Sequence, residues 1–396
     1  MGDIIDTEQV THHDTFHITL ERSIIPVRSE IQVQPGLLNE IPSILSQTVI
    51  EWRGDRLELA KAQHAVFSDS TVTSLYTKNL VDRMKDKGLK VVLFEFPEGE
   101  ENKNLQTYGL LIDQIEKSEI KFGANTVVHA VGGGVTGDLA GYIAATYHRG
   151  VPFIQIPTSL LADVDSSIGG KVAIDSALAK NILGAFYEPT HVLIDPALLK
   201  TLPRRHLING LAEVVKHGLL DDNLANLLVQ QAGSLIPDDM NLLNIKLMQQ
   251  IIEKSVEIKN RFVAADPFDK GVRRILNTGH TIGHAIEKVS HYELLHGEAV
   301  AIGMVTEGRI AAARGIWKPQ DLEGLIILLN SIGLPTKIPR DFDIDEIMRA
   351  IWRDKKVTDA IELSIPVKGQ SINDSLIMIK VGENEIQQII KESTVV

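Results

Sequence analysis

The sequence predicts an α/β N-terminal domain built on a mainly parallel sheet, followed by an all-α C-terminal domain. Three observations carry that reading. Short apolar runs rich in β-branched residues alternate with helix-length segments up to about residue 195, a glycine cluster stands where one such run meets a helix, and beyond Pro196 apolar positions recur with helical spacing alone. The length, 396 residues, suits two domains at about 150 residues each. Pro203 interrupts the pattern, which places the domains at 1–202 and 203–396.

The elements follow in order. Alternation in FHITLE and EIQVQPG makes strands within 15–33, and Pro35 with Gly36 turns the chain into a helix. HAVFSDS is a short buried strand ending at Asp69 and Ser70, both suited to cap a helix starting near Val72. KVVLFEFP is the next strand, and 104–117 is amphipathic and helical. TVVHAV runs into Gly132, Gly133 and Gly134, and VPFIQIPTSL and HVLIDP are further strands. In the second half NLLNIKLMQQIIEKSVEIKNRF shows apolar residues at i, i+3, i+4 and i+7.

Composition removes several function classes. Fifty-two acids against 40 Lys and Arg give a net charge of −12, a poor basis for nucleic-acid binding. With no cysteine there is no disulfide framework, iron–sulfur cluster or thiol nucleophile, so any metal sits on His and carboxylates. The start, MGDIIDTEQV, lacks an apolar h-region, and no apolar run reaches the roughly 18 residues that span a bilayer. Asp6 stands where a myristoylation signal wants Ser or Thr. A soluble cytoplasmic protein is expected.

Three groups of residues carry chemistry. In VVHAVGGGVTGDLAGY, Gly132, Gly134 and Gly137 have GxGxxG spacing after a strand and at a helix start, where backbone amides can hold a pyrophosphate, though a tight strand-to-helix turn of any α/β protein reads the same, and Asp69, ending an earlier strand, is the better candidate for a ribose. Glu100 and Lys103 lie between a strand end and a helix start, placed for a ribose hydroxyl and a phosphate, though a solvated helix start also collects acids. In LNTGHTIGHAIEK, His280 and His284 share a helix face; LLHGEAVAIGM adds His296 and Glu298, and GLAEVVKHG adds Glu213 and Lys216. Several of these suit a zinc site of N and O ligands with an open position, and spacing alone pairs His280 with His284. Cations form the third group: Arg149, Lys171, Lys180, Lys259, Arg273, Lys355 and Lys356, beside Asp165, Asn181 and Asn277, suggest a pocket for phosphate and carboxylate.

GGGVTGDLAGYIAATYHRG, IPTSLLADVDSSIGGKVAID, KNILGAFYEP, INGLAEVVKHG and LNTGHTIGHAIEKVSHYELLHGEAVAIGM together resemble the 3-dehydroquinate synthase family of sugar phosphate cyclases, from about residue 69 to 304 and in family order. The resemblance implies an NAD-binding α/β domain, a helical metal- and substrate-binding domain, and an active site in the cleft between them. It implies a metal, zinc with cobalt as an alternative, on Glu213, His280 and His296, with His284 facing substrate instead. NAD contacts would be Asp69, Glu100, Lys103, Gly133, Gly134, Asp138, Thr158, Ser159, Lys180 and Thr201. Substrate would meet Arg149, Asp165, Lys171, Asn181, Lys216, Lys259, Arg273, Asn277, His284, Lys355 and Lys356, with Lys171, Lys216, Lys259, Arg273, Asn277 and His284 as the catalytic set. The implied activity is that of a carbon–oxygen lyase in the shikimate route to chorismate and the aromatic amino acids. It turns 3-deoxy-D-arabino-heptulosonate 7-phosphate into 3-dehydroquinate and phosphate by transient oxidation, elimination, re-reduction and aldol closure, in a homodimer.

The alternatives are cyclases of the 2-epi-5-epi-valiolone, 2-deoxy-scyllo-inosose or amino-dehydroquinate type, and, further off, a metal- and NAD-dependent polyol dehydrogenase, which would not need the cation set. Arg273, Asn277 and His284 read as in dehydroquinate synthases. Pro267 and Val172 replace a usual Glu and Thr, and the segment after Lys356 lacks a customary Gly and basic residue.

Overall fold

The computed structural model describes residues 29–353, 360–367 and 372–395. The strand expected in FHITLE, and Lys355 and Lys356, lie outside the described residues. Strands β1 (Glu30–Val33), β2 (Val49–Trp52), β3 (Asp55–Glu58), β4 (Gln63–Asp69), β5 (Lys90–Phe96), β6 (Thr126–Gly132), β7 (Phe153–Pro157), β8 (Lys171–Ile174), β9 (Leu183–Phe186) and β10 (His191–Ile194) occupy the first part of the chain. Six of them form one parallel sheet in the order β1-β10-β7-β6-β4-β5, and β2–β3 and β8–β9 are antiparallel hairpins. The segment around Lys171, assigned no strand from the sequence, holds the β8–β9 hairpin. Its strands are only four residues each, too short for a periodic signal.

All seven residues of β6 are buried because both sheet faces are covered. Val127 and Val131 pack with Leu37, Ile41 and Leu45 on one side; Val128 and Ala130 pack with Leu111, Leu139 and Ile143 on the other. The covering helices are α1 (Ile41–Gln47), α2 (Ser70–Val72), α3 (Lys78–Asp86), α4 (Leu105–Lys117) and α5 (Gly134–Thr146). Asn104 caps α4 by accepting the Thr107 N–H at 2.9 Å. Chain order runs outward from β4 to β5 on one side and from β6 to β7 on the other, so the switch point lies between β4 and β6. Asp69 and Gly132 end those two strands.

The rest is largely helical: α6 (Arg204–Gly218), α7 (Asp222–Gln231), α8 (Ile245–Ala265), α9 (His280–Val289), α10 (His296–Ala313), α11 (Pro319–Ser331), α12 (Ile344–Arg353) and α13 (Glu383–Ser393). Ala299, Val300, Ala301, Ile302, Met304 and Val305 of α10 are all buried, which makes it the central helix. The expected all-α composition needs correction, because β11 (Ala360–Pro366) and β12 (Leu376–Gly382) form an antiparallel hairpin. Ile361, Leu363 and Ile365 alternate into the core, a period-two signal hidden among helical segments. The hairpin braces what precedes it: Thr278 Oγ1 donates to the Ser364 carbonyl at 3.0 Å, and Trp317 Nε1 donates to the Pro366 carbonyl at 2.7 Å.

Inside the sheet, His64 Nε2 lies 2.9 Å from the Leu59 carbonyl, which can only accept, and His64 Nδ1 lies 2.8 Å from His129 Nε2. His64 Nδ1 therefore accepts the His129 Nε2 proton, which leaves His129 Nδ1 a bare, unpartnered nitrogen. Burial holds His64 down to about 4 and His129 well below the usual imidazole range. The unfolded chain takes up protons below about pH 6.5 while the folded one refuses them, so this stability is complete above that pH and drains as pH falls toward 4. The urea midpoint should drop across that window, His64 alone contributing about 1.4 kcal/mol per pH unit. His129→Gln should flatten the slope, and an unchanged profile would show that the pair is not buried neutral.

Candidate active site

Helix α6 delivers the first acid. It is buried from Leu207 to Gly218, pressed between neighbours close enough that a Cβ on Gly297 would stand 2.0 Å from the Asn209 carbonyl. Asn209 Oδ1 also accepts the Gly297 N–H at 2.6 Å, which docks the first turn of α10, and with it His296, against α6. One turn beyond Asn209, Glu213 is completely buried, and its Oε1 lies 3.4 Å from His296 Nε2 and 3.6 Å from His280 Nε2. His280 opens α9 behind Gly279, whose left-handed backbone (φ +79°) leaves no room for a side chain against Met304. Buried Glu307 of α10 pins that start by accepting the Gly279 N–H at 2.7 Å and the Ile282 N–H at 3.3 Å. The His280 Nδ1 proton goes to the Thr278 carbonyl at 3.1 Å, so Nε2 turns its lone pair to Glu213.

A line of alternating charge runs on from this cluster. Lys216, also buried, pairs with Glu213 and lies 3.9 Å from Asp165; Lys259 Nζ is 2.6 Å from Asp165 Oδ1 and 2.5 Å from its carbonyl. Burial works against the charge of Asp165, but Lys259 and Lys216 outweigh it and hold the carboxyl well below its ordinary range. Burial also opposes the Lys216 charge, yet Glu213 and Asp165 raise it, whereas burial, with Lys216 beside it, lowers Lys259 in spite of Asp165. Alongside, Arg273 is buried and donates to the Pro267 and Gly169 carbonyls at 2.7 and 2.8 Å, and Lys171 Nζ meets Asp269 at 2.5 Å. Asn277 ends the same short helical segment, half-buried.

On the sheet side, Gly133 and Gly134 start α5 without a side-chain cap, and Cβ atoms there would lie 3.3 and 3.2 Å from Ser159 Oγ and Ser166 Oγ. Thr158 donates its N–H to the Gly132 carbonyl at 3.0 Å. Asp69 caps α2 and accepts the Thr136 hydroxyl at 3.3 Å. Lys103 gathers Glu100 at 2.9 Å, Asp138 at 3.1 Å and the Asn181 amide oxygen at 2.8 Å. Burial raises Asp138 to about 6 although Lys103 opposes it. Lys180 lies 3.5 Å from Glu100 and 3.0 Å from Glu287 of α9, above the Tyr292 ring.

The structure thus brings Glu213, His280 and His296 together as a group able to hold an ion. The His284 ring is 5.2 Å from that of His280, as the helical spacing foresees, but it stays exposed and outside the Glu213 group. Glu298 is occupied by Arg205 at 2.7 Å. Asn181 joins the Lys103 network, not the Asp165 line. Arg149 is exposed in a left-handed turn, its carbonyl held by Arg53 at 2.5 Å, and Thr201 hydrogen-bonds Tyr76. Neither touches the cluster through any contact among the described residues. Sequence reasoning passed over Glu287, Asp269 and Glu307. Glu287 stands at i+3 from His284, so its face was readable; Asp269 and Glu307 gave no signal.

The fold and site define the sugar phosphate cyclase class. The structure matches that of ValA, a 2-epi-5-epi-valiolone synthase from Streptomyces hygroscopicus subsp. jinggangensis with NAD+ and Zn2+ bound, at a TM-score of 0.79 and 26% identity over 94% of this chain and 98% of that one. A 2-deoxy-scyllo-inosose synthase complexed with carbaglucose-6-phosphate, NAD+ and Co2+ matches at 0.76 and 26% over 92% and 96%. Family models for the 3-dehydroquinate synthase N-terminal and C-terminal parts match residues 93–209 and 210–357. A 3-dehydroquinate synthase of Desulforamulus reducens is 44% identical over 82% of this chain and 87% of its own length. The chain belongs to the 3-dehydroquinate synthase family.

The helix contact at Gly297 makes a direct prediction. Gly297→Ala forces its new methyl into the Asn209 carbonyl and should cost about 1–3 kcal/mol in denaturation of the metal-free protein; an unchanged melt would mean that α10 is not docked there.

Proposed function

We propose that the protein is a 3-dehydroquinate synthase that converts 3-deoxy-D-arabino-heptulosonate 7-phosphate to 3-dehydroquinate and phosphate with NAD and one divalent cation, zinc or cobalt. The observation that carries this is the buried Glu213–His280–His296 group at the end of the Lys216–Asp165–Lys259 line. The residues fit both groups. Glu213 Oε2 is paired with Lys216, but Oε1 has no directed hydrogen bond and two imidazole nitrogens face it. The uncapped α5 start, narrowed by Ser159 and Ser166, suits a pyrophosphate. Asp69, Glu100, Lys103, Asp138, Thr158, Lys180 and Thr201 complete the proposed cofactor side. Held by Glu213, His280 and His296, the cation would polarise substrate hydroxyl oxygens, and NAD would supply a reversible hydride acceptor.

The chain's own residues do the rest. Arg273, with Asn277 one turn on, would receive the substrate carboxylate, with the Lys171 ammonium, paired with Asp269, as a further cation for the anionic substrate. Lys216 stays charged beside developing negative charge, while Lys259, lowered by burial, is the ammonium readier to give up a proton. Exposed His284 stands at the opening of the His cluster, placed to carry a proton to or from the departing phosphate. Arg149, Asn181, Lys355 and Lys356 complete the proposed substrate set. The division of labour at 202/203, cytoplasmic location and homodimeric state belong to the same proposal, by the family resemblance. Among the described residues no helix is long and apolar enough to cross a membrane.

Purified protein with the heptulosonate phosphate, zinc and sub-stoichiometric NAD should release phosphate and dehydroquinate one to one without net NADH. Phosphate release from sedoheptulose 7-phosphate or glucose 6-phosphate in place of the heptulosonate would overturn the substrate. Glu213→Ala, His280→Ala and His296→Ala should each lose stoichiometric zinc while keeping NAD affinity. Arg273→Ala should raise KM for the heptulosonate at least tenfold, the loss of a charged hydrogen bond.

A further inference from the structure

The two imidazoles of the cation group are steadied in different ways. His280 is fixed by local backbone, its Nδ1 bound to the Thr278 carbonyl two residues away. His296, at the first position of α10, has no such neighbour. Its Nδ1 faces Glu287 Oε2 at 3.4 Å, and Glu287 comes from α9, two turns beyond His280 and on the same helix face. The Glu287 side chain is only 12% exposed, and its other oxygen takes the Lys180 ammonium at 3.0 Å. Lys180 in turn reaches Glu100 of the sheet side.

We infer that Glu287 is a positioning residue: one carboxylate oxygen holds the Nδ1 proton of His296 so that Nε2 points at the cation position beside Glu213, and the other ties that ring, through Lys180, to the cofactor side. This rests on the metal reading above. A carboxylate that accepts from the far nitrogen fixes the tautomer and raises the basicity of a ligating imidazole. Lys180 matters because it decides which way an uncharged replacement would turn. In Glu287→Gln the ammonium, which can only donate, claims the amide oxygen and leaves the NH2 facing His296. His296 Nδ1 must then accept, its proton moves to Nε2, and ligation is blocked. Removing the ammonium in Lys180→Met lets the amide turn over and present its oxygen to His296 again.

The test is zinc affinity by competition with a chromophoric chelator, with NAD affinity measured separately by fluorescence on zinc-free protein. Glu287→Gln should weaken zinc ten- to a hundredfold, with its thermal melt in the absence of metal close to that of the parent. Lys180→Met alone should bind zinc nearly as the parent does, and the double variant should bind it more tightly than Glu287→Gln. Parental zinc affinity in Glu287→Gln, or a double variant no better than that single one, overturns the inference and leaves the metal site standing. A parent that binds no stoichiometric zinc, or a Glu213→Ala variant that binds it as the parent does, overturns the metal site and the inference with it.

Discussion

The rest of the structure is arranged around one buried carboxylate. Glu213 has no contact with solvent, and a lone ionised acid there would be untenable; Lys216, His280 and His296 make it tolerable. Holding them requires three helices within backbone contact. The cation group is thus a property of helix docking, and its side chains have little freedom of their own. Gly210, where a Cβ would stand 2.6 Å from the Leu161 backbone nitrogen, lets the turn bearing Asp165 press on α6 in the same manner.

From Glu213 charge alternates outward to Lys216, Asp165 and Lys259, and each member is steadied by opposite neighbours. Such a line of fixed, mutually paired charges is preorganised to face an anionic substrate. The sheet side is organised by the same logic around Lys103, with Glu100, Asp138 and Asn181 about it. Lys180 joins the two networks, since it touches Glu100 on one and Glu287 on the other.

Much of this was legible in the sequence where one element decides the outcome. β4, β5, β6, β7 and β10 show as mostly apolar runs because a parallel sheet covered on both faces buries most of their positions, the paired His64 and His129 being polar members inside it, and α8 shows through its period. β11 and β12 did not, because buried residues alternate with half-buried or exposed ones along much of both strands, so neither forms an apolar run that stands out among the helical segments around it. In the site, His280 and His284 were readable as neighbours, and their rings are neighbours. The choice of His296 as the partner of Glu213 depends on where the starts of α9 and α10 converge, which no spacing encodes; only the family resemblance pointed to it. Glu287 escaped notice because an acid at i+3 on an amphipathic helix looks like solvated surface until its partner on another helix is seen.

The β11–β12 hairpin gives the site a history in time. Thr278, which steadies His280, is itself held by the carbonyl of Ser364, and Trp317 by that of Pro366. A chain leaving the ribosome presents Glu213, His280 and His296 well before it presents the hairpin. A nascent or truncated chain ending ahead of Ala360 would own every side chain of the cation group and lack the strut behind Thr278. The last-made strands thus complete the support of a cation group whose side chains are all made before them.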